Sequence, residues 1–336
     1  MLFLEICGSG NEGSIMNKLS LVLIAVMSLA SPATAYPQDN YPNRPITIVV
    51  GWTAGGGADT MTRLLAKVSS KELGQPIVVQ NKPGGASQLA ATAVVSAQPD
   101  GYTLGLGSAS FFLIAPNIRK LPYDPIRDGT QIVGFYTTHY GLVVPADAPW
   151  KNWNELREYA IQNPGKISYG TAGIGTMQHL VFERIARKDG IKWVHVPFKG
   201  ASDTMASLMG GHINAAIQGP TDVGPLIQAG KLRMLLVLND QRWEMAPDIP
   251  HILEVGYDFS SFNVGSIWGP KGLPEPIRSK LETAMTNAIK SPEFIEGVKK
   301  LRQPWFHIGG REYAKMLQDR FEGYKQIVKD LNLQEN

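Results

Sequence analysis

The stretch Pro45-Ile-Thr-Ile-Val-Val-Gly-Trp-Thr-Ala-Gly-Gly-Gly-Ala-Asp-Thr-Met-Thr-Arg-Leu-Leu65 reads as a strand, a glycine turn and a helix in immediate succession. Ile46, Ile48, Val49 and Val50 have the β-branched composition of a buried strand, and Gly55, Gly56 and Gly57 stop it. Met61, Leu64, Leu65 and Val68 then recur at helical spacing, with Asp59 and Thr60 placed to satisfy free amides of a first turn. Glycines let a ligand approach the backbone, and the unpaired N–H groups together with the helix dipole favour negative charge. The stretch therefore reads as an anion cradle at the C-terminal end of a sheet strand. An ordinary strand-to-helix turn has the same composition, so one such loop does not by itself make a site.

With 336 residues, of which 43% are hydrophobic and 18% charged, the chain is expected to bury a substantial core and form two domains. A net charge of +3, with no Lys/Arg block interleaved with aromatics, argues against a nucleic-acid partner. Six scattered histidines and one cysteine offer no CxxC or HExxH spacing, so no metal site is expected. No cofactor is expected either. Gly51-x4-Gly56 lacks the Lys-Ser/Thr of a phosphate-binding loop, and Gly105-Leu-Gly107 and Gly173-Ile-Gly175 lack the third glycine of a dinucleotide fingerprint.

The first 35 residues form a separate segment. Met16-Asn17-Lys18, the apolar run Leu19 to Leu29 and the small-x-small site Ala33-Thr34-Ala35 predict a secretory signal ending at Ala35, preceded by an upstream start; either Met1 or Met16 is the initiator. Cys7 falls in this segment, which predicts a mature chain with neither disulfide nor lipid anchor. The expected product is soluble and periplasmic.

Along the mature chain, Tyr36 to Arg44 is an extended lead-in. A strand at 77–80, a turn Asn81-Lys-Pro-Gly-Gly-Ala-Ser87 into a helix, and a strand at 102–106 running into Ser108 complete a first set of βα units. A second set follows Gly141-Leu-Val-Val-Pro145. It has a helix at 153–162, strands at 167–169, 193–198, 213–217 and 232–237, and a turn Gln218-Gly-Pro-Thr-Asp222. A strand at 262–268 and helices at 277–289, 292–301 and 311–331, with no strand of comparable length between them, are expected to pack back on the first lobe. The fold class is α/β: two lobes, each with a mixed, mostly parallel sheet, divided as 36–140 plus 262–336 and 141–261. Two crossings, near Gly141–Val144 and Phe262–Ile267, form a hinge. Trp150, Trp153, Trp193 and Trp305 are expected to be anchors in the core or on the lobe surface rather than ligand stackers.

Four glycine- or hydroxyl-rich turns beside helix starts, Thr53–Asp59, Gly84–Ser87, Gly170–Thr176 and Lys199–Ser202, could together surround a small anion without an arginine clamp. No Gly-x-Ser-x-Gly elbow is present, and His179, His195 and His212 form no spacing that selects a triad, so an enzyme is not expected. His195, inside an apolar strand, reads as a satisfied core histidine.

Further signatures follow in order: Tyr41-Pro-x-x-Pro-Ile-Thr-Ile-Val-Val50, Ala54-Gly-Gly-Gly-x-Asp59, Leu73-Gly-Gln-Pro-Ile-Val-Val79, Asn81-Lys-Pro-Gly84, Pro99-Asp-Gly-Tyr-Thr-Leu104, Leu121-Pro-Tyr-Asp124 and His195-Val-Pro-Phe-Lys-Gly200. In these the chain resembles the receptors of tripartite tricarboxylate transporters, the Bug family, over essentially its whole mature length. The resemblance implies a two-lobed periplasmic solute-binding fold, a small organic carboxylate as ligand and a two-component integral membrane permease as partner, with the receptor a monomer. A sensing subunit docked on a signalling receptor is the alternative, and an exported enzyme the remote one. Carried over by residue, the ligand meets Thr53, Ala54, Gly55, Gly56 and Asp59 of the first loop and Thr171, Ala172, Gly175 and Thr176 of the second. Ser108 and the turn Lys199, Gly200 and Ala201 also approach it; Ser87 belongs to the second glycine turn. Trp52, where relatives often have Phe or Tyr, narrows the cleft, and Met177-Gln178 replaces small serines; both departures bear on ligand size.

Asp59 is expected to divide the ligand classes. Capping needs only an oxygen acceptor, so Asp59→Asn should cost little stability. A carboxylate there would attract an ammonium and repel a carboxylate, by roughly 3 kcal/mol at about 5 Å. The otherwise neutral lining of the loops then predicts an acid without an amino group.

Overall fold

The computed structural model describes residues 40–335; the expected signal segment, Cys7 and the first part of the lead-in lie outside them. In chain order the elements are β1 (Ile46–Val50), α1 (Gly57–Leu73), β2 (Ile77–Asn81), α2 (Gln88–Val95), β3 (Thr103–Ser108) and, after a turn of π-helix, α3 (Ala115–Ile118). Then come β4 (Gly129–Thr137), β5 (Gly141–Pro145), α4 (Trp153–Gln162), β6 (Ser168–Thr171), α5 (Met177–Asp189), β7 (Val194–Pro197), α6 (Ala201–Met209) and β8 (Ala215–Gln218). The chain continues through α7 (Pro220–Gln228), β9 (Leu232–Val237), β10 (Val264–Pro270), α8 (Glu275–Lys290), α9 (Pro292–Lys300), β11 (Trp305–Gly309) and α10 (Gly310–Asp330).

The strands form a six-stranded sheet, order β11-β4-β10-β3-β1-β2, and a five-stranded sheet, order β7-β6-β8-β5-β9. Each contains a parallel trio built by crossover connections, β2-β1-β3 in one and β7-β6-β8 in the other. The rest of each sheet is antiparallel. The reason is the connection between sheets: β4 passes into β5 through only Thr138–Tyr140, too short for a crossover helix, and β10 brings the chain back antiparallel to β4. β4 and β11 are strands that the sequence reading does not contain, and β11 corrects the expectation of an uninterrupted helical tail. Its pattern is weak, with Trp305 exposed and Ile308 buried, because it is an edge strand pairing only with β4.

Helix α1 shows how sequence sets position. Met61, Leu65 and Val68 bury one face against Ile46, Ile48 and Val50 of β1, in a core shared with Leu281, Met285 and Ile289 of α8. Each such side chain is worth about 1.5–3 kcal/mol on burial. The helix stops at Gly74, whose φ of +68° is a left-handed cap. The opposite face of this sheet holds Phe111, Phe112, Trp268 and Tyr313, while the second sheet is covered by Trp153, Tyr169 and Phe182 on one side and Met205, Leu208 and Trp243 on the other. Trp150 and Trp153 are buried, and Trp193 packs edge-on to Phe182. Trp305 is exposed and donates from Nε1 to the Ile289 carbonyl.

The connections between sheets are tied side by side. The Tyr140 N–H donates to Asn239 Oδ1 at 2.7 Å, the Thr138 N–H to the Asn263 carbonyl at 2.9 Å, and Asn263 Nδ2 to Tyr140 Oη at 3.0 Å.

Candidate ligand-binding cleft

Strand ends and helix starts from the two sheets meet face to face. Ser202 Oγ donates to the Ala54 carbonyl at 2.9 Å, the Met177 N–H to Ser110 Oγ at 2.9 Å, and the Gly57 N–H to Asp222 Oδ1 at 2.9 Å. At Gly200 the approach is so close that a Cβ would lie 2.2 Å from Thr53 Oγ1 and 2.8 Å from the Thr53 nitrogen, so only glycine fits. These contacts define a closed arrangement, with a cavity of about 60 Å³ beneath them. That is several times the space needed for one buried water.

Of the residues expected at the site, Trp52, Thr53, Gly56, Ser108, Ala172, Thr176 and Ala201 line the cavity. The other eight do not line it, for identifiable reasons. The Ala54 carbonyl is occupied by Ser202, and Gly55 donates its N–H to Asp59 Oδ2 at 2.9 Å. Ser87 packs against Gly51, and Gly175 against Ile118. Thr171 Oγ1 lies 2.7 Å from His195 Nε2. Gly200 closes on Thr53, and Lys199 is exposed.

Asp59 needs the largest correction. It is 2% exposed and accepts from Arg63 Nε at 2.9 Å, Asn81 Nδ2 at 2.9 Å and the Gly55 N–H. Burial raises its pKa, but the bonds from Arg63, Gly55 and Asn81 outweigh that and hold it below the usual carboxylate value. It ties the first loop to α1 and β2 and does not line the cavity. With its charge spent on these partners it no longer points to a ligand without an amino group, and Asp59→Asn is expected to cost stability rather than be nearly free.

The second loop also spends its amides internally. The N–H groups of Ala172, Gly173 and Gly175 go to Gln178 Oε1, Thr171 Oγ1 and His179 Nδ1, so this loop offers a ligand fewer main-chain donors than its glycines suggest. His179 and His195 stack 4.3 Å apart, and burial pushes their pKa values down to about 3 and about 4; the neighbouring ring adds to the effect at His179. Both are neutral packing groups at neutral pH, as the position of His195 in an apolar strand predicts.

Gly57 and Ala58, inside the expected first loop, and Gln178, expected to bear on ligand size, also line it. The rest of the wall comes from residues that sequence reasoning missed: Tyr136, Thr138, Tyr140 and Asn263 lie on or beside the crossings, Gln218, Gly219 and Asp222 come from the second sheet and its helices, Gln303 comes from the loop before β11, and Ser110 completes it. None of the lining residues carries positive charge. Burial keeps the phenols of Tyr136 and Tyr140 protonated. An anion must therefore be held by the start of α1, where no helical carbonyl precedes the N–H groups of Ala58 and Asp59, and by neutral donors. Thr53 Oγ1 and Gln218 Nε2 are among these donors, buried on this wall without a hydrogen-bond partner. One carboxylate does face the cavity. Burial pushes Asp222 up to about 6, against the lowering effect of the Gly57 and Gly219 N–H groups. Its sequence signal is a first-turn aspartate with Leu226 rather than a cation four residues on, a pattern hidden when the segment is read as a turn.

The model of the tripartite tricarboxylate transporter family receptor matches residues 61–333. The solved periplasmic binding protein BugD superposes with a TM-score of 0.84 at 30% identity, covering 88% of this chain and 100% of that one. MatC (Rpa3494) from Rhodopseudomonas palustris, solved with bound malate, gives 0.80 at 26% identity over 86% and 100% of the two chains. Rpa4515 from R. palustris, solved with adipate, gives 0.82 at 25% identity over 87% and 99%. Family match, fold and a closed two-sheet cleft agree: this chain belongs to the tripartite tricarboxylate transporter receptor family of periplasmic solute-binding proteins.

Proposed function

We propose that the protein is an exported, monomeric periplasmic receptor that closes over a small organic carboxylate and presents it to a two-component membrane permease. The observation that carries this reading is the cavity itself: a helix start and two unpartnered donors, Thr53 Oγ1 and Gln218 Nε2, face a space with no cationic side chain. The malate and adipate held by two relatives support a carboxylate as the ligand class. In this reading the lobes are 36–140 plus 262–336 and 141–261, and the Thr138–Tyr140 and Ser261–Asn263 segments that connect the two sheets act as the hinge. Among the described residues no helix is long and apolar enough to cross a membrane, which suits a receptor released by its signal segment.

A thermal-shift screen of small organic acids tests the reading. A ligand at about 100 times its dissociation constant stabilises the fold by roughly 2.7 kcal/mol. Closure is tested by Gly200→Ala, whose Cβ meets Thr53 at 2.2 Å; the variant should fold yet lose at least about 100-fold in affinity, roughly 2.7 kcal/mol. A screen in which only neutral or cationic compounds shift the melting temperature would sink the carboxylate reading. Recovery of the bound acid chemically unchanged after prolonged incubation is expected of a receptor; turnover would make it an enzyme.

A further inference from the structure

The cavity wall carries both unpartnered donors and unpartnered acceptors, and the bonds of its amide side chains show which is which. Gln178 Oε1 accepts the Ala172 N–H at 3.1 Å and its Nε2 donates to the Ile217 carbonyl at 2.9 Å, so two backbone groups set its orientation. The same Nε2 lies 3.2 Å from Gln218 Oε1, which leaves Gln218 Nε2 as the free donor. Thr221 spends its only proton on the Leu301 carbonyl at 2.9 Å, so it accepts from Gln303 Nε2 at 3.0 Å. Gln303, 7% exposed, therefore presents Oε1, a buried acceptor without a partner.

Asp222 stands beside it. A Cβ placed on Gly219 would lie 3.5 Å from Gln303 Nε2 and 3.6 Å from Asp222 Oδ2, so both side chains share one corner. The Gly57 and Gly219 N–H groups use part of the acceptor capacity of the carboxylate, and no cation contributes to its surroundings. A ligand without a donor at this corner leaves Gln303 Oε1 and the remaining Asp222 lone pairs desolvated and unmatched. Sites built to hydrogen-bond a substrate group discriminate strongly against analogues lacking it.

Building on the carboxylate-receptor reading, we propose that Asp222 and Gln303 are specificity-determining residues that select, among small carboxylic acids, those carrying a hydroxyl or ammonium donor. The free donors Gln218 Nε2 and Thr53 Oγ1 take the carboxylate, and Asp222 with Gln303 Oε1 takes the ligand's own donor. Of the acids held by two relatives, malate carries such a hydroxyl and adipate does not.

Calorimetric titration of the purified exported chain with matched acids tests the proposal. The sets are propionate, lactate and alanine; succinate, malate and aspartate; glutarate, 2-hydroxyglutarate and glutamate. In at least one set a donor-bearing member should bind ten times or more tighter than its parent, and whether hydroxyl or ammonium wins identifies the donor. Asp222→Asn keeps an oxygen for the Gly57 N–H, and Gln303→Met keeps side-chain length. Each should cut the ratio at least fivefold while the parent acid binds as well or better. Parents that match their derivatives in every set that binds overturn the proposal, as does a ratio that survives both substitutions. If no acid binds at all, the receptor reading fails and takes the proposal with it; binding without donor preference removes the proposal alone.

Discussion

Asp59 in α1 and Asp222 in α7 are each the third residue of a helix that follows a glycine with extended backbone, at φ −77° and −83°. Local structure treats them alike, yet their chemistry diverges. Asp59 has Arg63 one turn on and Asn81 on the neighbouring strand, and its bonds to them and to the Gly55 N–H hold the first loop together. Asp222 has Leu226 one turn on, reaches across the cleft to the Gly57 N–H and keeps oxygen lone pairs on the cavity. The difference teaches that a first-turn carboxylate is structural or functional according to what lies four residues ahead and which sheet approaches it. Glycine-rich loops alone do not tell the two apart.

The strongest test of this contrast is to replace each aspartate by asparagine. Asp59→Asn removes a buried carboxylate serving three donors and should cost about 2–3 kcal/mol in denaturant unfolding, with ligand affinity within about threefold of wild type. At neutral pH Asp222→Asn should cost less than about 1 kcal/mol, because asparagine still accepts from Gly57. A tenfold loss of affinity in folded Asp59→Asn would put Asp59 back at the ligand and erase the contrast.

The pH dependence of stability sharpens it. Asp222, raised when folded, contributes stability that is fully present below about pH 3.8 and lost as pH rises through about 6. Asp59, lowered when folded, contributes the opposite way: its stability is present above pH 3.8 and lost as pH falls through its folded value. His179 and His195 confuse a raw profile, since their contribution is present above pH 6.5 and lost as pH falls through about 4 and about 3. The difference between wild type and Asp222→Asn cancels them. Wild type should gain on the variant by on the order of 2 kcal/mol between pH 7.5 and 4.5. A flat difference across that range would show that Asp222 is not desolvated in the closed cleft.

The smallest effect comes from Arg63→Ala. Arg63 is half exposed, so removing it should cost only about 0.5–1 kcal/mol. It should also move Asp59 toward the condition of Asp222, raising the carboxyl titration seen by NMR without changing ligand affinity. An Asp59 titration that stays put would mean that Gly55 and Asn81 alone hold it.

Much of the architecture was legible in the chain. The β-branched run before Gly55, the helical stripes and the glycine turns predict the parallel trios, and the predicted strand at 232–237 coincides with β9. Strand β4 escaped although Ile132, Val133, Phe135 and Tyr136 are buried, because an antiparallel strand needs no crossover helix to announce it, and β11 escaped because an edge strand carries a weaker apolar pattern. Of the residues that line the cavity, Trp52, Thr53, Gly56, Ser108, Ala172, Thr176 and Ala201 were expected because they sit in or beside local turns. Tyr136, Asn263, Gln218, Asp222 and Gln303 were missed because nothing in their own neighbourhood marks them.

The sequence by itself determined which segments become strands and helices, where helices begin, and so which amides and hydroxyls are available to a ligand. These follow from periodicity, capping and glycine freedom, all of which act over a few residues. Only the tertiary structure decided which groups meet the cavity. The Gly57–Asp222 bond joins residues 165 apart and the Thr221–Gln303 bond residues 82 apart, so neither leaves a trace in any local pattern. A carboxylate left partly free at the cleft and another tied to its neighbours beside it look the same in sequence, because desolvation and pairing depend on what the folded chain brings against them.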